Sequence, residues 1–151
     1  MTWRQRAASL PGPTTAQRLR RAANLLNGST LAGVAVALAA GTRMSRGPRG
    51  MVIAAGYRWR LPAARAFTLG NVVLYRGSAA DLLSRAELLG HEERHCSQYA
   101  WCLGLSFLPL YLAAAWWSVL RTGNPGTANI FERRAGLAAG GYPAPAGSAV
   151  L

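Results

Sequence analysis

Only two histidines occur in the chain, and they stand four residues apart in His91-Glu92-Glu93-Arg94-His95. For both rings to act together the segment must be helical, because residues i and i+4 lie one above the other on a helix, with Cβ atoms about 5–6 Å apart. Two imidazoles so placed can reach one tetrahedral zinc ion at about 2.0–2.1 Å. Glu92 then lies beside the ion, where a carboxylate can take a proton from an activated water and deliver it to a leaving amine. Glu93 points elsewhere around the helix and is expected at the surface or behind the ligands. The HExxH pattern therefore predicts Zn2+ as cofactor, His91 and His95 as ligands and Glu92 as general base.

A catalytic zinc site takes a third protein ligand and keeps one position open. No histidine follows His95, which excludes the longer three-histidine pattern. Glu132 is the only acid downstream, so elimination makes it the third ligand of a His2Glu set. Asp81 is discounted because it lies ten residues, or about 15 Å, up the expected helix.

This assignment constrains the C-terminal half. Leu103–Leu120 carries no charge. As a straight helix it would be about 27 Å long, close to a hydrocarbon core of about 30 Å. A full crossing would put His95 and Glu132 on opposite sides of a bilayer, where they could not share an ion. The chain is therefore expected to turn near Gly104, run back past the site and reverse again at Gly123–Gly126. Trp116 and Trp117 are then core fillers or interfacial anchors.

Elsewhere, Thr14 or Thr15 caps a short helix over Ala16–Leu26 that ends at Asn27-Gly28. Leu31–Ala40 reads as a core helix or a dipped-in segment, and Gly41–Gly50 as a loop. Met51–Leu61 and Ala66–Tyr75 read as strands, most simply an antiparallel pair. Ser78-Ala79-Ala80-Asp81 opens the HExxH helix with a cap and is expected to lead without interruption to Trp101 or Cys102. Asn129–Ala138 is a last short helix. Residues 1–28 are assigned as a basic N-terminal segment, 29–139 as the domain, and 140–151 as a flexible tail.

All 17 basic residues are arginine, and 12 of them fall in residues 1–80, which hold no acid. The remaining 5 share residues 81–151 with all 5 acids. Such asymmetry suggests an anionic partner, a membrane surface before nucleic acid, since few aromatics interleave the arginines and no nucleic-acid motif is present. Residues 1–23 have scattered arginines and no continuous apolar core, so no signal peptide is expected. The expected location is the cytoplasm, or the cytoplasmic face of a bacterial membrane. Cys96 and Cys102 are read as free thiols rather than a disulfide.

Ala66-Phe67-Thr68-Leu69-Gly70, followed by Leu88-Leu89-Gly90-His91-Glu92-Glu93-Arg94-His95-Cys96-Ser97-Gln98, resembles a bacterial zincin-like metallopeptidase domain of the gluzincin type. The resemblance covers about residues 50–100, and Glu132 more weakly. It implies the ligand set His91, His95 and a downstream acid, and it implies that Thr68 and Gln98 help form the site. Gly90 and Cys96 depart from the family pattern.

The expected fold is α+β, a mostly helical zincin-like domain with a short antiparallel hairpin or sheet edge before the HExxH helix. The expected function is zinc-dependent hydrolysis of a peptide or protein substrate. Tyr142, Tyr99, Arg94 and Arg133 are candidate donors to the developing oxyanion, with Tyr142 first. The alternatives are a catalytically inactive zincin-like protein and a metal-free, arginine-rich membrane-associated binding module.

Overall fold

A computed structural model describes residues 12–145. The start of the basic N-terminal segment and the end of the C-terminal tail lie outside them. The described chain is α+β, with two α-helices before a small mixed sheet and four after it.

Helix α1 (Thr15–Leu26) begins on a full capping box: the Thr14 hydroxyl accepts from the Gln17 amide, and the Gln17 side chain accepts from the Thr14 amide. Asn27 ends it, and α2 (Ser29–Ala39) follows. The segment expected to be a loop contains strand β1 (Arg43–Arg46) and a 3-10 turn at Pro48–Gly50. Its alternation is hidden because β1 is an edge strand with arginines at both ends and little burial.

Strand β2 is Val52–Ala55, shorter than the expected Met51–Leu61. Ala66–Tyr75 is not one strand but a hairpin, β3 (Ala66–Leu69) and β4 (Val72–Tyr75). The two-residue turn is Gly70-Asn71, where Gly70 takes φ +63°, the conformation such hairpins require at this point. A Cβ on Gly70 would also sit 2.4 Å from the Thr30 amide nitrogen.

The sheet order is β1-β2-β4-β3. β3 occupies one edge of β4 in antiparallel register, and β2 takes the other edge in parallel, with Val52 opposite Val72 and Ala55 opposite Tyr75. The antiparallel pairing expected between the 51–61 and 66–75 regions is thus replaced by a parallel one. β4, apolar on both faces, is the central strand, and β2 joins the edge that the β3 hairpin leaves open. Val73 and Tyr75 pack with Ile53, Leu82, Leu89 and Cys96 on one side. Val72 and Leu74 pack with Ala54, Tyr57 and Ala37 on the other. Each fully buried Ile, Leu or Val contributes about 1.5–3 kcal/mol of transfer free energy.

Ser78 caps α3 (Ala79–Ser84) by accepting from the Asp81 amide. The helix then breaks at Arg85 (φ −103°, ψ 73°) before α4 (Ala86–Trp101). The Ser84 hydroxyl donates to the Asp81 carbonyl at 2.7 Å, and the Arg85 guanidinium folds back onto the Asp81 carboxylate. These local bonds compete with helix continuation.

The chain turns near Gly104, as expected, into α5 (Phe107–Thr122), with Pro109 in the first turn, where its missing N–H is tolerated. Helix α6 (Ile130–Ala135) is capped by the Asn129 side chain, which accepts from the Phe131 amide.

Candidate metal centre

Helix α4 is held in place by a buried polar knot behind its histidine face. The Asn24 amide donates to Asn71 Oδ1 at 3.0 Å and to the Cys96 carbonyl at 2.8 Å. Asn71 in turn donates to the Thr30 hydroxyl and the Arg21 carbonyl. One pair of asparagines thereby ties α1, α2, the hairpin turn and α4 together. Glu93 fixes the outer side of α4. It accepts from Gln17, Arg20 and Arg49, and forms ion pairs with Arg20 at 2.9 Å and Arg49 at 2.7 Å. Burial opposes the Glu93 charge, but the two guanidinium groups hold its pKa below the ordinary value.

His91, His95 and Glu132 converge on a single buried point, and together they can hold a metal ion. The two Nε2 atoms are 3.0 Å apart, and Glu132 oxygens lie 3.2 Å from His91 Nε2 and 3.5 Å from His95 Nε2. Ligand atoms about 2.1 Å from one tetrahedral ion stand about 3.4 Å from each other. The spacing therefore suits a common ion with little rearrangement. All three residues are at most 7 % exposed.

The outer ring nitrogens settle how the inner ones point. His91 Nδ1 lies 3.0 Å from the Gly136 carbonyl, and His95 Nδ1 lies 2.8 Å from Gln98 Oε1. Both partners are acceptors, so each Nδ1 carries hydrogen and, in the neutral ring, each Nε2 presents a lone pair. Two lone pairs and a carboxylate facing one another repel unless a cation or a proton lies between them. Consistent with this, Glu132 Oε2 is buried without a hydrogen-bond partner. Burial works against the Glu132 anion, but the facing His91 and His95 rings, wherever a proton is shared with them, hold its pKa below the ordinary value. Burial likewise works against charge on His95, and Glu132 and Glu92 outweigh it to raise the His95 pKa. The donor set, two imidazoles and one carboxylate, resembles a zincin-type site, and its chemistry fits a zinc ion.

Glu92 is 2 % exposed. The Thr68 hydroxyl of β3 donates to its Oε2 at 2.7 Å. Burial raises its pKa most strongly, offset in part by His95 and by the Thr68 hydrogen bond. Gln98 connects two elements: Oε1 engages His95, and Nε2 donates to the Phe131 carbonyl at 2.9 Å. Of the two residues singled out by the resemblance, Gln98 touches His95 directly, and Thr68 touches Glu92 beside the group.

The candidate oxyanion donors separate. Arg94 is committed to the Ala135 carbonyl at 2.8 Å, and Arg133 is exposed. Tyr99 packs against Phe107 with the rings tilted at 56°, and its buried hydroxyl has no hydrogen-bond partner among the described residues. Tyr142 adjoins Tyr111 within reach of the Glu132 charge. Tyr111 itself was not singled out from sequence. It donates to Glu132 Oε1 from the inner side of α5. Its signal was faint: it is the only tyrosine in the uncharged run Leu103–Leu120. Cys96 and Cys102 are free thiols. Cys96 is fully buried, and burial pushes its pKa up to about 12, so it is poorly suited to nucleophilic work.

The segment after α6 closes over the cluster. Its Gly140 lies so near that a Cβ there would stand 2.6 Å from His91 Cε1, and Gly126 offers the Tyr142 ring the same close approach at 2.3 Å. No family model, curated protein or solved structure matches this chain.

Proposed function

We propose that this protein is a zinc-dependent metallopeptidase in which His91, His95 and Glu132 hold the ion and Glu92 moves the proton. The observation that carries the reading is the convergence of three buried donors on one point, with a second carboxylate, that of Glu92, alongside. Zinc bound there would supply polarisation of the scissile carbonyl and acidification of a water. Glu92 takes the proton of the attacking water and passes it to the leaving amine nitrogen. Its raised pKa brings a carboxylate closer to the neutral range such a shuttle needs. Thr68 holds the Glu92 carboxylate in one orientation. Gln98 and the Gly136 carbonyl fix the two rings, so both Nε2 atoms stay aimed inward. Tyr142 is the donor to the oxyanion, since Tyr111 is already committed to Glu132. A peptide reaches Glu92 only when the Gly140–Tyr142 segment moves off His91.

The test separates metal from chemistry. Glu92→Gln should retain one zinc per chain by elemental analysis and lose hydrolysis of a quenched fluorogenic peptide library by about 10²–10⁴-fold, the usual worth of general acid–base catalysis. Turnover equal to wild type in Glu92→Gln, or wild-type protein that takes up no zinc, overturns the reading.

A further inference from the structure

Helix α5 contradicts its surroundings. Phe107 and Ser118 are buried, and Tyr111, Ala114 and Ala115 are half-buried, which makes one narrow inner stripe. The rest of the helix faces outward and is apolar: Leu112 is 65 % exposed, Trp116 66 %, Trp117 54 % and Leu120 64 %. At 100° per residue these positions, with Leu108 and Leu110, span an arc of about 200°. Ser106 and Arg121, at the two ends of the helix, are the only polar residues on that arc. A helix apolar nearly all round normally lies in a core or a membrane, and among the described residues nothing covers this one.

The patch continues beyond the helix. Gly104 packs against the Asn27 side chain, so the α4–α5 turn adjoins the α1–α2 corner. Beside that contact Leu26 is 88 % and Leu103 80 % exposed. No charged residue occurs from Ala22 to Thr42 or from Cys96 to Leu120.

From this we infer that α5 and the adjoining Leu26–Leu103 corner form a docking surface for an anionic lipid bilayer, with α5 lying in the interface rather than crossing it. The inference stands apart from the peptidase reading, since none of these residues belongs to the metal cluster.

Three observations select lipid over other occupants. First, a folded partner covers one face of a helix, whereas acyl chains can wrap an arc of this width. Second, the charges match an anionic surface. Glu92 and Glu132 are buried, Glu93 is paired with two arginines and Asp81 with one, so Glu87 is the one exposed acid outside these pairs among the described residues, against a majority of exposed arginines. Basic residues near such a membrane each contribute attraction. Trp116 and Trp117 with Arg121, whose guanidinium stacks over Trp117 at 5.0 Å, are the residue types that sit at a headgroup boundary. Third, no single helix among the described residues is long and apolar enough to cross a bilayer. Crossing is also barred by connectivity, because His95 before α5 and Glu132 after it stand 3.5 Å apart.

The experiment is flotation of the purified full chain with vesicles of phosphatidylcholine alone, or of phosphatidylcholine with one third phosphatidylglycerol. The protein should float with the anionic vesicles, at least tenfold more than with the neutral ones. Leu112→Glu/Leu120→Glu should lower that binding at least tenfold, with zinc content and circular dichroism unchanged. On wild-type protein, lipids brominated in the upper acyl chain should quench tryptophan emission, and Trp116→Phe/Trp117→Phe should remove most of the quenching. Three results overturn the inference: no flotation with either vesicle, flotation without tryptophan quenching, or a wild-type dimer by light scattering that Leu112→Glu/Leu120→Glu converts to monomer. The last would mean that a second copy covers the arc.

Discussion

Thr68→Val removes one hydroxyl and leaves the shape and strand preference of β3 nearly unchanged. What is lost is the 2.7 Å bond to Glu92 Oε2. Because Glu92 is 2 % exposed, water cannot readily replace the missing donor. A hydrogen bond to a charged group is worth about 1.5–3 kcal/mol. At about 2–4 °C per kcal/mol for a chain of this size, Tm should fall by about 3–12 °C. If the bond serves to hold the proton shuttle, the same energy appears in the barrier, and kcat should fall by about 10–150-fold at about 1.4 kcal/mol per decade. Zinc content should stay at the wild-type ratio, since Thr68 is not among the three converging residues. Thr68→Ser, which restores the donor, should recover most of both losses. The measurements are calorimetric melts, elemental analysis and peptide turnover on the three proteins. Unchanged Tm and turnover in the valine variant would refute the positioning argument, and loss of zinc would show that the hydroxyl serves the ion instead.

Other outcomes follow from the same geometry. Glu132→Ala should abolish stoichiometric zinc uptake, and the added-zinc rise in Tm seen for wild type should vanish; by mass action that rise corresponds to about 2.7 kcal/mol at a hundredfold excess over Kd. Gly33→Ala should lower Tm, because its Cβ would stand 2.5 Å from the Leu69 carbonyl oxygen and 2.9 Å from Val72 Cβ. Overpacking of this kind costs about 1–3 kcal/mol, and urea midpoints would read it. Asp81 has its pKa lowered by hydrogen bonds from Arg85 and Tyr75, so its contribution to stability is present above the unfolded carboxylate pKa and is lost as pH falls through the lower folded value. Asp81→Asn should therefore narrow the Tm difference between pH 5 and pH 2.5 relative to wild type. An unchanged difference would mean that the pair does not couple to folding.

The candidate metal-holding group was legible because its residue types are scarce. Two histidines at helical spacing and one remaining acid leave little choice, and the bar on a membrane crossing forced the correct out-and-back path through α5. Propensity placed the caps at Thr14 and Ser78 within a residue, and the last helix, expected over Asn129–Ala138, begins one residue later, on an Asn129 cap, and ends at Ala135. Sheet topology was less legible. The hairpin at Gly70-Asn71 carries a recognisable turn pair, yet it sits inside a run of strand formers that reads as continuous. The parallel alignment of β2 on β4 leaves little local trace, since β2 and β3, consecutive in sequence, are not neighbours in the sheet. The break at Arg85 depends on side-chain bonds back to Asp81 that propensity does not register. Tyr111 was missed because its apolar neighbours mark α5 as packing, while its hydroxyl alone faces the Glu132 carboxylate.

The ties between α4 and the α6 region have an asymmetry with a consequence for variation. Gln98, Arg94 and His91 all reach across from α4, and all three meet main-chain oxygens, those of Phe131, Ala135 and Gly136. Any amino acid supplies such an oxygen. Among these polar links α6 is asked for only one specific side chain, the acid at 132. Substitutions at the exposed Ile130, Arg133 and Arg134 should therefore be absorbed wherever the helical turn itself survives, whereas Phe131, packed on Phe107, and the fully buried Ala135 are constrained by shape instead.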